Sequence, residues 1–199
     1  MAPELYLIAP PDAQTAGFAN TLRRALGAVR AAALVLPRGA RREADYAAFV
    51  REITFIGQEA GAAVLIEGEP RLALDLAVDG LHVEGGPADL KAALGALNPD
   101  LIVGAGGIRS RHEAMVKGEL GPDYIMFGPL SGASAPESRE MAAWWAQTME
   151  IPSVLSDPAA TAATADAAGC EFFAPPAGIW AEADPAAVLA AFARRLGVK

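Results

Sequence analysis

The stretch "PDYIMFGPLSG", Pro122 to Gly132, decides the fold. Tyr124 to Phe127 place apolar or aromatic side chains at consecutive positions, with no polar residue between them. A strand with one wet face would alternate, so this run reads as a strand buried on both faces, the habit of parallel sheets. Gly128-Pro129 ends it, because proline lacks the N–H that a sheet ladder needs. Outward from here the same pattern recurs as "LYLIAP", "AALVLPRG", "AAVLIEGE", "GLHVEGG", "LIVGAGG", "IPSVLS" and "CEFFAPP", making eight runs in all.

Between the runs lie Ala-rich segments with helical spacing. Phe18, Leu22 and Leu26 share a face in "AQTAGFANTLRRALG", and similar segments are "EADYAAFVREITFIGQEAG", "SRHEAMVKGE", "SREMAAWWAQTME" and "DPAAVLAAFARRLG". "SRHE", Ser110 to Glu113, has the form of a capping box. Gly27, Gly61, Gly95, Gly169 and Gly197 follow helical runs and suit the left-handed position at a helix end. The expectation is strand then helix, eight times. Eight parallel units in 199 residues stand at the lower size limit of a (β/α)8 TIM barrel. An open doubly wound sheet would leave shorter, more polar edge strands, and none of the eight runs has that character. The fold class is therefore α/β, a small single-domain TIM barrel spanning 1–199.

Composition narrows the partners. With 53% hydrophobic residues the chain can build one sizeable core, and no linker or low-complexity stretch divides it. A net charge of −8 opposes binding to nucleic acid or anionic lipid, since both present phosphates that need neutralising. No apolar run reaches the roughly 18 residues of a membrane helix. Cys170 is the single cysteine and has no internal disulfide partner. "MAPELYLIAPPD" lacks the basic flank of a signal peptide, so a cytoplasmic location is expected.

In a barrel the residues just after each strand face one basin. These are Pro10 and Asp12, Arg38, Glu67 and Glu69, Glu84, Gly104 to Arg109, Gly128 to Ser134, Ser156 and Asp157, and Pro175 to Gly178. The mixed charge of Arg38 and Arg109 against Glu67, Glu69 and Glu84 suits a polar, partly anionic small molecule. Within "GAGGIRSRHE", Gly104, Gly106 and Gly107 let the backbone approach a ligand, and the start of the following helix can hold phosphate. The plainer reading is a tight strand-to-helix turn. Glu67 and Glu84 follow neighbouring strands, so they can converge on Mg²⁺ or share a proton; the alternative is solvent or an ion pair with Arg38 or Arg71, and no third ligand is evident. His82 inside an apolar strand is expected to be a hydrogen-bonded core residue, His112 an exposed helix residue, and Cys170 a packing residue. Of the adjacent Trp144 and Trp145, one is expected to face the barrel and the other to be available for a subunit contact, which allows a homodimer.

"VDGLHVEGG", "IVGAGGIRSRHEA" and "GPDYIMFGPL", in that order, resemble the thiamine-phosphate synthases and the related thiazole tautomerases, which are small (β/α)8 barrels. The family reads Ala-Asp-Gly-Val-His-Leu-Gly-Gln on strand four and Ala-Asp-Tyr-x-x-x-Gly-Pro on strand six. Val78-Asp79-Gly80-Leu81-His82, Asp123-Tyr124 and Gly128-Pro129 match it. The resemblance implies joining of an aminopyrimidine diphosphate to a thiazole phosphate with release of pyrophosphate, and hence Mg²⁺ where that activity is retained and a phosphorylated small-molecule substrate.

Several family positions are altered. The Gln-x-Arg-x-Lys of strand two becomes Leu36-Pro37-Arg38-Gly39-Ala40, the Asn-Asp after strand three becomes Glu67-Gly68, and the Gly-Gln-x-Asp after strand four becomes Glu84-Gly85-Gly86-Pro87. Asp89 is the nearest substitute for the missing carboxylate. The strand-five serine falls at Gly106, and "LSGASAPE" keeps only Ser131 and Ser134 where the family carries Thr-x-Thr-Lys. The Gly-Gly-Ile phosphate loop is replaced by Leu155-Ser156-Asp157-Pro158, and no histidine follows His112, where the tautomerases need one. The expected function is thus thiamine-phosphate synthase-like; the alternative is a non-catalytic or repurposed barrel binding a small anionic metabolite or a protein partner. A third reading uses Glu67 and Glu84 as acid and base for different chemistry. Candidate binding residues are Arg38, Glu67, Glu84, Gly104, Gly106, Gly107, Arg109, Phe127, Gly128 and Ser131, with Phe127 and Gly128 expected on the pocket floor.

Overall fold

The computed structural model describes residues 2–133 and 135–198. Its order is β1 (Glu4–Ile8), α1 (Thr15–Ala28), β2 (Ala33–Leu36), α2 (Glu43–Glu59), β3 (Ala63–Ile66), α3 (Pro70–Asp75), β4 (Gly80–Val83) and α4 (Pro87–Leu97). Then come β5 (Ile102–Ala105), α5 (Arg111–Gly118), β6 (Tyr124–Phe127), α6 (Glu137–Thr148), β7 (Ser153–Ser156), β8 (Phe172–Ala174), a 3-10 turn (Ala177–Ala181) and α7 (Pro185–Leu196). The strands pair in parallel in sequence order, and β8 closes on β1.

Closure explains the missing alternation. In β6, Tyr124 and Met126 point into the barrel, while Ile125 and Phe127 join the layer between sheet and helices. Both sets are buried, so both must be apolar. The outer layer is held by Leu22 of α1, Phe49 of α2, Trp145 of α6 and Phe192 of α7, each no more than 2% exposed. At roughly 1.5–3 kcal/mol per fully buried large side chain, such residues supply most of the driving force.

Three carboxylates stitch the strand starts together. Asp79, before β4, accepts from Val64 N of β3 at 2.7 Å; Asp123, before β6, accepts from Val103 N of β5 at 2.7 Å; Glu171, before β8, accepts from Ser153 N of β7 at 2.8 Å. Each satisfies a strand N–H that has no ladder partner at the barrel's lower rim. The Asp79-Gly80 and Asp123-Tyr124 pairs therefore have a structural task at the end away from the mouth.

Two expectations need correction. The seventh connection, 157–171, contains no helix, so the chain has seven α-helices among its described residues. Its small residues offer little apolar surface to bury, and its polar side chains bond locally instead: Asp157 Oδ1 accepts from Ala159 N, Asp166 Oδ1 from Ala168 N, and the Thr161 and Thr164 hydroxyls from each other's backbone. Such bonds compete with helix formation. Of the proposed helix-ending glycines, Gly61 and Gly197 follow α2 and α7 with positive φ; Gly169 has a positive φ but no helix before it, and Gly27 and Gly95 lie inside α1 and α4.

Candidate functional site

Three adjoining cavities occupy the mouth at the strand C-termini. One of about 600 Å³ lies over β1, β7 and β8 and runs from Pro10 to Trp180. A central one of about 440 Å³ brings together Arg38, Glu67, Glu84 and Ser131. The third, about 310 Å³, lies between the loops after β3 and β4 and includes Glu69 and Asp89. Pro129, Leu130 and Ser131 line the first two, and Glu67 and Glu84 the last two.

Glu84 sits at the head of a hydrogen-bonded chain that descends into the barrel. Its Oε1 lies 2.9 Å from His82 Nε2, His82 Nδ1 lies 2.7 Å from the Tyr124 hydroxyl, and that hydroxyl lies 2.6 Å from the hydroxyl of Tyr6. A carboxylate only accepts, so His82 Nε2–H donates to Glu84. In the singly protonated ring Nδ1 then accepts from Tyr124, whose oxygen accepts from Tyr6. His82 and Tyr124 reach each other because Gly104 stands between them: His82 pairs with Gly104 across β4 and β5, and Gly104 with Tyr124 across β5 and β6. Any side chain at Gly104 would overlap the Tyr124 ring.

The local field keeps Glu84 ionised. Burial acts to raise its pKa, but the His82 hydrogen bond, the charge of Lys117 and the Gly107 amide together hold it below the usual glutamate value. The phenols respond oppositely. Burial raises both, Tyr124 well above the ordinary tyrosine value, so they serve as neutral hydroxyls. Lys117, 1% exposed, donates to Gly106 O at 2.7 Å and lies 3.6 Å from Glu113 Oε1, fixing the loop under Glu84.

Across the central cavity, Glu67 Oε2 accepts from Arg38 N at 2.9 Å. Tyr46 braces this side: its hydroxyl donates to Leu36 O and accepts from Glu67 N. The Arg38 side chain lies beside Arg41 O, at 3.4 Å, so Arg38 and Glu67 meet through backbone and not as an ion pair.

The other predicted residues take different places. Gly104 is a strand residue facing Tyr124, not a mouth residue. Gly106 leaves room for Glu84 and His82, both of which a Cβ there would strike, and Gly107, at φ +63, passes close over Glu84 O. Gly128, at φ +94, packs on Ser156 O. Phe127 is fully buried and turns outward, with its ring 5.9 Å from that of Trp145, so it does not form the pocket floor; Met126 takes the interior place. At the start of α5, Ser110 Oγ accepts from Glu113 N and Glu113 Oε2 from Arg109 N, so the chain's own side chains occupy those two donors. Ser134 lies outside the described residues. Trp145 is the inward tryptophan and donates to Ile151 O at 2.8 Å, while Trp144 is half-buried beneath the Arg111 guanidinium, 4.9 Å from its ring. Cys170 is buried, as its apolar setting suggested.

Whether the mouth suits Mg²⁺ depends on free carboxylates. Mg²⁺ is usually held by one or two of them together with substrate phosphates. Here Glu84 is engaged by His82, Glu67 by Arg38 N, and Asp89 is turned to Gly86 N at 3.0 Å, capping α4. No three His, Cys, Asp or Glu side chains converge on a common point among the described residues. An ion at the mouth would draw on Glu67, Glu84 and Asp89, each of which holds a hydrogen bond within the chain.

Tyr6, Tyr124, Lys117 and Trp180 escape a reading of strand ends. Glu84 and His82, two apart on an extended chain, carry a signal in their spacing, since such residues share a face. Tyr124 stands in the Asp123-Tyr124 pair of the family motif, but nothing in the sequence joins it to Tyr6, which it meets only on closure.

No helix among the described residues is long and apolar enough to cross a membrane. The sequence pattern described as thiamine monophosphate synthase matches residues 5–172. A thiamine-phosphate synthase of Hyphomonas neptunium is 34% identical, covering 94% of this chain and 91% of the relative. One of Rhodospirillum centenum is also 34% identical, covering 96% of each. A solved thiamine phosphate pyrophosphorylase of Pyrococcus furiosus superposes with a TM-score of 0.81 over 98% of this chain and 95% of that one, at 19% identity, which speaks for the fold alone. The match over most of the chain, in the order of motifs that the closed barrel now explains, places it: the chain belongs to the thiamine monophosphate synthase family.

Proposed function

We propose that this thiamine-phosphate synthase-like barrel binds a small metabolite at its mouth, with Glu84 as the charged centre, and that the altered residues after its strands weaken the diphosphate and Mg²⁺ contacts on which the joining reaction depends. The observation that carries this reading is the Glu84–His82 pair, seated in the space left by Gly106. A reaction that expels pyrophosphate needs cations or N–H donors where negative charge gathers. Among the side chains lining the three cavities, Arg38 is the one cation, against Asp12, Glu67, Glu69, Glu84 and Asp89. That balance favours a ligand whose polar end is neutral or cationic and rich in donors. Glu84, ionised and hydrogen-bonded, is then the group to hold a cation or accept a hydrogen bond from the ligand.

The second reading is the synthase reaction itself, favoured by 34% identity to two curated synthases over nearly their whole length. In that reading Mg²⁺ is required and the substrates are phosphorylated. Incubating the purified chain at high concentration with both thiamine precursors and Mg²⁺, and measuring thiamine phosphate by mass spectrometry, decides between them. The expected result is no product above the protein-free background. Steady product formation, or calorimetric binding of pyrophosphate that requires Mg²⁺, would establish the second reading instead.

A further inference from the structure

In (β/α)8 barrels the loops after strands seven and eight frequently form a phosphate site from backbone N–H groups. Here that quarter of the mouth is the cavity of about 600 Å³. Its lining includes six prolines, Pro10, Pro11, Pro129, Pro158, Pro175 and Pro176. Proline carries no N–H, so these positions can offer an anion nothing. Two of the polar side chains are already engaged: Trp180 Nε1 donates to Ile8 O at 2.7 Å, and Ser156 Oγ to Pro129 O at 2.7 Å. Asp12 adds negative charge to the same lining. Trp180 is held further by Phe18, edge to face at 5.1 Å, so it forms a fixed wall.

From these residues we infer that the cavity over β1, β7 and β8 is a binding site for an uncharged aromatic or aliphatic ring, and not for phosphate. Its size is within the range of small-molecule sites, its walls are apolar, and it opens beside the Glu67 and Glu84 cavity through shared residues Pro129 to Ser131. The ligand is accordingly a small molecule with an apolar ring at one end and a neutral or cationic, donor-rich group at the other. This inference rests on the reading that the mouth binds a small metabolite, and it names the class.

The test uses the uncharged dye N-phenyl-1-naphthylamine with the whole chain, followed by dye emission and by the indole N–H resonances of ¹⁵N-labelled protein. Emission should rise and saturate at one dye per chain, with the Trp180 resonance moving while those of Trp144 and Trp145 stay. Millimolar pyrophosphate should not displace the dye. At Gly178, which lines the cavity, an added Cβ meets nothing within 4 Å, so Gly178→Phe should fold with an unchanged melting temperature and bind the dye at least tenfold more weakly. The assignment is overturned if emission does not saturate, if the Trp180 resonance does not move, if pyrophosphate competes, or if the folded variant binds as tightly as the parent. Should Gly178→Phe fail to fold, the wild-type resonance and competition results alone decide. Thiamine phosphate formation would overturn the function proposed above and leave this pocket standing, so the two failures are distinguishable.

Discussion

Replacing Tyr124 by Phe removes one hydroxyl and keeps the ring that packs against Gly104, so the loss is confined to the hydrogen-bonded chain. Tyr124 is its middle link: it donates to His82 Nδ1 and accepts from Tyr6. His82 is 2% exposed, Tyr6 2% and Tyr124 6%, so no water replaces the lost partner. Two buried polar atoms are stranded, each costing about 1–3 kcal/mol, or roughly 4 kcal/mol together. Tyr6→Phe removes only the terminal donor; Tyr124 still donates to His82, and the cost is about 1 kcal/mol. For a chain of this size those figures correspond to melting-temperature losses of roughly 8–16 °C and 2–4 °C. In the Tyr124→Phe background, Tyr6→Phe removes an already stranded hydroxyl and should be neutral or stabilising. The double-mutant cycle should therefore give a coupling of about 1 kcal/mol or more, read by urea denaturation followed by circular dichroism. Equal losses for the two single variants, or additivity in the double, would refute the order of links deduced here.

Three further outcomes are expected. Glu84 is held below the ordinary glutamate pKa, so its contribution to stability is present above the unfolded value of about 4.3 and is lost as pH falls through the folded value. Urea midpoints of Glu84→Gln should thus fall less steeply than wild type on acidification below that pH, and parallel curves would contradict the assignment. Gly95→Ala, in the interior of α4 with open space around it, should stabilise by about 0.5–1 kcal/mol. Gly128→Ala meets Ser156 O at a positive φ and should destabilise by about 1–3 kcal/mol, so thermal melts must move in opposite directions. Burial pushes the Cys170 thiol up to about 11, so a disulfide reagent at pH 8 should label it only as fast as the chain unfolds; rapid labelling of the folded protein would show an exposed thiolate.

All eight strands are legible in the sequence because burial on both faces makes most of their positions apolar, as in "YIMF", and the buried polar exceptions His82, Ser153 and Ser156 each hold a hydrogen bond. The helix expected between β7 and β8 does not form, since Ala content signals helical propensity but says nothing of the apolar face that would anchor it. At the mouth, Arg38, Glu67, Glu84 and Ser131 were recoverable from their place after a strand, and the structure brings them together. Phe127 was not, since a one-residue shift along a strand reverses the direction of the side chain.

What the sequence determined by itself is the count and order of the parallel units and the altered residues at their ends, because these are local patterns of period and termination. What only the tertiary structure decided is which side chains meet. Tyr6 and Tyr124 are 118 residues apart and touch because β8 closes on β1, and Tyr124 reaches His82 because the register puts the bare Gly104 between them. Pairing register and closure are properties of the whole sheet, carried by no single segment, and they turn an isolated strand histidine and a loop glutamate into one connected site.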